Sequence, residues 1–281
     1  MSRRSNAGDN PGDSAQGQGG SSLLSRPDCL ANQGDGWKSA VPFRHLVIDG
    51  FLSDEVLSGV VAEFPAHDAQ GWYTYENDIE VKKATNNWER FGPWTYRLFS
   101  FLSSAGFVAH LEGLTGCRLF ADPGLNGGGL HSHRRGGKLN AHLDYSRHPK
   151  LGLQRRLNLI VYVTPGWEEA WGGHLQFWAH DPSRNRPGDL VKSIAPQFNR
   201  AVLFDTTQNS WHGLPNPIAC PPDVCRNSLA IYYLCEPEDA ASPRGRALFA
   251  PTAEQENDPA VLELIRKRSS VDESGSVYVK K

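Results

Sequence analysis

The sequence predicts an α+β fold, with helices gathered in the first part of the chain and a jelly-roll core of short strands after them. Three observations predict it. Apolar residues recur at helical spacing only as far as Gly116. Beyond that point short β-branched and aromatic runs alternate with Gly, Pro, Asn and Asp breaks. Seven or eight such runs follow one another, the spacing of a sandwich or barrel rather than of βαβ units.

The elements follow in chain order. Residues 1–36 hold seven glycines, six serines and no aromatic residue. Such a segment buries too little apolar surface to offset its ordering entropy, so a disordered leader is expected. The folded part is expected to start at Trp37 and run as one domain over 37–245, with a helical part at 37–116 and a core at 117–236. His45–Asp49 reads as a strand. Ser53, followed by Asp54 and Glu55, is a helix start signal. Val56, Leu57, Val60, Val61 and Phe64 then share one helical face. Pro93 suits a first helical turn, and a third helix is expected over Ala105–Leu114.

Strands are expected at Cys117–Ala121, Lys138–Tyr145, Leu157–Val163, His174–Trp178, Leu190–Ala195, Ala201–Asp205 and Ser228–Leu234. Leu157–Val163 is apolar on both faces and should be central. Residues 246–281 read as a polar tail with one weak helix near Ala260–Arg266.

Composition excludes several classes of function. In 281 residues, 29 Lys and Arg nearly balance 31 Asp and Glu, which argues against a nucleic-acid polymer as partner. No apolar run reaches membrane-spanning length, and the basic start Met1–Arg4 leads into polar residues, not a signal peptide. Five scattered cysteines suit a reduced, cytoplasmic protein. Cys220, Cys225 and Cys235 lack the second pair that a structural zinc site needs, and read as ordinary thiols.

The chemistry concentrates in Gly137-Lys138-Leu139-Asn140-Ala141-His142-Leu143-Asp144-Tyr145. In a strand, residues two apart share a face, so His142 and Asp144 present an imidazole and a carboxylate side by side. His212, in Asn209-Ser210-Trp211-His212-Gly213, supplies a second imidazole, and Arg226 opens a later apolar strand. Two histidines and one carboxylate make the facial triad of non-haem iron(II), which leaves positions open for a 2-oxo acid and O2. An arginine facing the metal can grip the far carboxylate of 2-oxoglutarate with two parallel hydrogen bonds.

This ordered set, together with Gly127–His131, Arg156–Tyr162, Trp171–Leu175 and Phe198–Phe204, resembles the iron(II)- and 2-oxoglutarate-dependent oxygenases, in their prolyl-4-hydroxylase-like branch. The resemblance covers about Gly127 to Leu234. It implies a double-stranded β-helix core with N-terminal supporting helices. It also implies His142, Asp144 and His212 on iron, and Arg226 on 2-oxoglutarate, with Ser228 a further cofactor-binding candidate; Asn158 and Asn140, amides in core-like strands that need partners, are candidates for the 2-oxoglutarate or the substrate pocket. Iron(II), 2-oxoglutarate and O2 are the implied cofactors, with ascorbate as a stimulant. Related halogenases replace the carboxylate ligand by Gly or Ala, so Asp144 favours hydroxylation.

Collagen-type prolyl hydroxylases carry lysine where this chain has Arg226, a departure read as pointing away from peptidyl proline. With the near-neutral charge and no segment that reads as a peptide- or nucleic-acid-binding appendage, a small-molecule substrate is expected. A protein hydroxylase and a catalytically silent jelly-roll binding protein are the alternatives, and oligomeric state stays open. His131, Tyr145 and Trp211 are candidates for the substrate pocket. His133 ranks below His131, and His174 reads as structural. Arg155 and Arg156 could contact an anionic substrate, but at a strand start they are expected to face solvent. The aromatic residues at 72, 73, 75, 88, 94 and 96 are candidates for a substrate lid, although ordinary packing explains most of them.

Overall fold

The computed structural model describes residues 22–277. The helices are α1 (Gly34–Ser39), α2 (Asp54–Glu63), α3 (Pro93–Leu102), α4 (Ala105–Thr115) and α5 (Pro259–Ser269). The first strands are β1 (His45–Ile48), β2 (Tyr73–Glu76), β3 (Glu80–Thr85), β4 (Phe120–Ala121) and β5 (Gly129–His133). β6 (Lys138–Leu143), β7 (Gln154–Tyr162), β8 (Leu175–Asp181) and β9 (Arg186–Ile194) follow. The last are β10 (Ala201–Asp205), β11 (Trp211–Leu214), β12 (Arg226–Cys235) and β13 (Leu248–Phe249).

Every strand pairing is antiparallel, in the order β1-β10-β7-β12-β5-β3-β6-β11-β8-β9, with β13 on β6, β2 on β3 and β4 on β12. The sheet curls, so that residues of β5, β6, β7, β11 and β12 line one cavity. This is the jelly-roll core with helices against it.

β7 lies between β10 and β12, as its two apolar faces predict. Leu157, Leu159 and Val161 pack outward into the large core shared with α2, α3 and α4. Asn158 and Ile160 face the cavity, and Tyr162 joins Phe43, Phe177, Val202 and Phe204 in a second, inner core. Helix ends are fixed locally. Ser104 Oγ accepts the Phe107 N–H at 3.3 Å to start α4, and Gly116 closes that helix at φ +71°. The carboxylate of Glu63, at the end of α2, accepts from the N–H groups of Trp94 (2.6 Å) and Thr95 (2.9 Å) at the start of α3. One helix thereby caps the next.

Two expectations need correction, and further strands come in addition to those expected. Structure begins before Trp37: Leu24 bridges to Leu52, and Leu24, Cys29 and Leu30 are buried in the same core as the helices. Four apolar side chains near position 24–37 suffice to dock this stretch despite its polar average; residues 1–21 of the expected leader lie outside the described residues. The polar tail is also part of the fold. Leu248 and Phe249 pair with Leu143 and His142, and Val261 and Ile265 of α5 pack with Ile79, Ala247 and Phe249. Finally, β2, β3 and β5 form strands from polar sequence, because neighbouring strands supply their hydrogen bonds. No described helix is long and apolar enough to cross a membrane.

Candidate metal centre and its cavity

His142 leaves the end of β6 and His212 lies opposite it on β11. Gly213 allows this approach, since a Cβ there would stand 2.7 Å from Leu139 O and 2.8 Å from Asn140 O. The two imidazoles are 4.3 Å apart between ring centroids. Asp144 sits between them, its Oδ1 3.7 Å from His142 Nε2 and its Oδ2 3.7 Å from His212 Nε2. One ligand atom from each of the three residues lies within 4.8 Å of the others, and all three residues are buried.

Hydrogen bonding fixes the tautomers. His142 Nδ1 is 3.0 Å from Asn140 O, and His212 Nδ1 is 2.8 Å from Ser210 O. A carbonyl only accepts, so both Nδ1 atoms carry a proton, which turns both Nε2 atoms to the centre. Burial, then His212, pushes His142 down to about 3. Burial alone would raise the Asp144 carboxyl, but His212, Arg155 and His142 outweigh it and hold it below its ordinary value. Asp144 Oδ2 has no hydrogen-bond partner. Two imidazoles turned to the centre by their Nδ1–H groups and a carboxylate with a bare oxygen fit a divalent metal. Among the described residues no other group of three or more His, Cys, Asp or Glu could hold one, so a closed four-ligand zinc site has no basis here.

The cavity of about 150 Å³ around this centre runs to Arg226 at the start of β12. Arg226 is 3% exposed, and its Nε donates to Gly173 O at 2.7 Å, with the guanidinium 4.7 Å from the Tyr162 ring centroid. Gly173, at φ +70°, leaves room for it: a Cβ there would stand 3.0 Å from Arg226 Cδ. Burial lowers the pKa of Arg226, but a guanidinium stays charged at any relevant pH. Anchored through Nε, it can present its terminal N–H groups to a carboxylate.

Ser228, Asn158, His131 and Tyr145 line the same cavity, and Asn158 Oδ1 has no partner. Asn140 does not line it. Between the His212↔His142 and Leu214↔Leu139 pairs two β6 residues, Asn140 and Ala141, oppose Gly213 alone on β11, and this bulge turns Asn140 away. Its amide instead donates to Ala250 O (3.0 Å) and Gln255 Oε1 (2.6 Å), tying down the C-terminal segment. Trp211 also points away, donating to His180 Nδ1 at 3.1 Å and packing with Leu143 and Ala250.

Sequence reasoning missed several groups. Arg155 does not face solvent: it is 2% exposed, with its guanidinium 3.4 Å from the Tyr145 ring centroid and 3.5 Å from that of Tyr232. It donates to Asn126 O and lies 3.8 Å from Asp144 Oδ1. Arg156 is likewise buried, against Asp205 at 3.4 Å and Glu238 at 3.1 Å. Tyr75, Glu80 and Lys82 from the β2–β3 hairpin, and Phe249 and Arg268 from the C-terminal segment, complete the wall. Of the aromatic lid candidates, Trp88 packs with Phe91, Tyr96 and Phe99, Tyr73 and Tyr96 are exposed, and Tyr75 reaches the cavity. His174 pairs with Glu169 at 3.6 Å on the surface. All five cysteines are free.

A curled antiparallel sheet that sets two histidines and an aspartate around one centre, with a buried arginine further along the cavity, defines a non-haem metal oxygenase architecture. Residues 128–234, somewhat over a third of the chain, match the model of the 2OG-Fe(II) oxygenase superfamily, in agreement with the resemblance read from the sequence. Iron(II), 2-oxoglutarate and O2 are the metal and co-substrates that this family match supports. A stretch of 79 residues is 36% identical to prolyl 3-hydroxylase OGFOD1 of Xenopus laevis, covering 28% of this chain and only 15% of that relative. The mouse protein of the same name is 34% identical over 58 residues, 21% of this chain and 10% of its own length.

Two solved structures share the fold. A Pseudomonas putida prolyl-4-hydroxylase has a TM-score of 0.54 at 18% identity, covering 74% of this chain and 99% of that one. A Trichoplax adhaerens prolyl hydroxylase, in complex with a hypoxia inducible factor peptide fragment, has a TM-score of 0.51 at 16% identity, covering 74% and 88%. These relatives overturn the expectation of a small-molecule substrate. Near-neutral charge and an arginine in place of a lysine at position 226 carry no information about what is oxidised.

Proposed function

We propose that the chain hydroxylates prolyl residues of a peptide or protein, using iron(II) and 2-oxoglutarate. The observation that carries this reading is the convergence of His142, Asp144, His212 and Arg226 on one buried cavity. In it the Nε2 atoms of His142 and His212 and the carboxylate of Asp144 hold the metal, and Arg226 takes the far carboxylate of 2-oxoglutarate, with Ser228 and Asn158 beside it. Bound there, iron(II) supplies O2 activation, coupling decarboxylation of 2-oxoglutarate to succinate and CO2 with conversion of a substrate C–H to C–OH.

The chain's own residues prepare the site. Asn140 and Ser210 carbonyls hold both imidazoles in the ligating tautomer. Phe249, stacked on His142 at 5.0 Å, and Phe204, 4.7 Å from His212, screen the ligands from water. Arg155 keeps Asp144 ionised and, wedged between two tyrosines, is held in place to do so. The prolyl substrate is supported by the names of the relatives, each of which is a prolyl hydroxylase.

The test is incubation of the full chain with iron(II), 2-oxoglutarate, ascorbate and proline-containing peptides, followed by mass spectrometry and succinate assay. One oxygen atom added to prolyl residues, matched by succinate, is the expected result. Succinate formed with oxygen transferred to free small molecules but never to a peptide overturns the prolyl reading. Binding of 2-oxoglutarate without its consumption under any condition points instead to a silent binding module.

A further inference from the structure

Beside Arg226 the cavity holds polar groups to which the proposed chemistry gives no task. His133 is 3% exposed, lines the cavity, and has no hydrogen-bond partner at either ring nitrogen. A buried imidazole left bare on both sides is costly, and such groups call for a ligand. His133 stands directly opposite Arg226 in the β5–β12 register. On its other side β5 pairs with β3 at Lys83↔Ser132, so the next step of that register sets Lys82 opposite His133. Arg226, His133 and Lys82 therefore form one row across three adjacent strands, about 4.8 Å from strand to strand, and all three line the cavity.

The row's charges are arranged for an anion. Burial, then Arg226 and Lys82, holds His133 well below its ordinary pKa, so the ring is neutral with one N–H to donate. Lys82 shares its carboxylate partner: Glu80 Oε2 is 3.9 Å from it, at the outer limit of an ion pair, while Glu80 Oε1 accepts from Arg268 at 3.0 Å. Two cations flanking a neutral donor make a seat for one carboxylate, and the far carboxylate of 2-oxoglutarate is the one that Arg226 already calls for.

We propose that His133 and Lys82 complete, with Arg226, the seat of the co-substrate's far carboxylate, His133 donating a hydrogen bond and Lys82 supplying the second positive charge. The proposal rests on the oxygenase reading above. It makes both residues positioning groups that select a dicarboxylic 2-oxo acid over a monocarboxylic one.

The test is anaerobic calorimetry on the full chain loaded with manganese(II), titrated with 2-oxoglutarate and with 2-oxopentanoate. The second compound keeps the chelating end and lacks the far carboxylate. Losing one charge-assisted hydrogen bond should weaken 2-oxoglutarate roughly tenfold in His133→Phe and in Lys82→Met, with 2-oxopentanoate unchanged. His133→Gln, which restores an N–H, should stay within about threefold of wild type. Equal weakening of both acids marks a merely structural role and overturns the proposal, as does unchanged 2-oxoglutarate affinity in both variants. If the wild type binds 2-oxoglutarate and the variants match it, only the seat fails; if the wild type binds neither acid, the oxygenase reading fails with it. Should His133→Phe not fold, Lys82→Met decides.

Discussion

The C-terminal segment reads as a tail in sequence but forms a wall of the site, and one ion pair tests how firmly it is held. Glu80 on β3 has no solvent exposure, and its Oε1 accepts from Arg268 Nε of α5 at 3.0 Å. Arg268 also stands 5.3 Å from the centroid of Phe249, the ring stacked on His142. Replacing Arg268 by Met leaves a fully buried carboxylate whose nearest cation, Lys82 Nζ, is 3.9 Å away. Removing one partner of a buried pair costs about 3–5 kcal/mol. Arg268 is 14% exposed, which admits some water and sets the expectation near the lower end, about 3 kcal/mol.

Equilibrium urea unfolding of Arg268→Met measures that cost. Glu80→Gln combined with Arg268→Met should recover about half of it, because no buried charge is then stranded. A loss below about 1 kcal/mol, the range of an exposed pair, refutes the reasoning. So does a double variant as unstable as the single one.

Three further outcomes follow from the packing. Gly213→Ala places a Cβ against two backbone carbonyls of β6 and should cost about 2 kcal/mol or more, with iron affinity falling at least tenfold in a metal titration. Asn199 sits at φ +60°, and its amide clasps both the N–H (2.8 Å) and the C=O (2.9 Å) of fully buried Leu52, so Asn199→Ala should cost about 3 kcal/mol by urea unfolding. His67 is pushed down to about 4 by burial, then by Lys83 and Arg134, whereas the unfolded imidazole takes its proton near 6.5. Its contribution to stability is thus present above about pH 6.5 and lost on acidification towards about 4. His67→Asn should flatten the fall in melting temperature across that window.

What was legible in the sequence was local. His142 and Asp144 are two residues apart, so strand geometry alone puts them on one side, and the opposed faces of Leu157–Tyr162 give β7 its central place. Arg226 could be found because it opens an apolar run. Lys82 and Glu80 could not: Glu80-Val81-Lys82-Lys83 reads as a solvated polar stretch, and only the pairing of β3 with β5 and β6 brings it indoors. Arg155 is buried by two tyrosines far apart in the chain, which no local pattern announces. Asn140 was misplaced for the opposite reason. Regular alternation puts it beside His142, and the bulge that breaks the alternation is invisible in sequence. The C-terminal segment was missed because its polar average conceals the few side chains that do the packing.

The account turns on whether His142, Asp144 and His212 bind iron in reach of Arg226. Anaerobic titration of the full chain with iron(II) and then 2-oxoglutarate tests this directly by visible absorption. The expected result is one iron per chain and a weak charge-transfer band on adding 2-oxoglutarate, abolished in His212→Ala and shifted to much higher 2-oxoglutarate concentration in Arg226→Ala. A wild-type chain that gives no band, or a band that persists undiminished in His212→Ala, contradicts it.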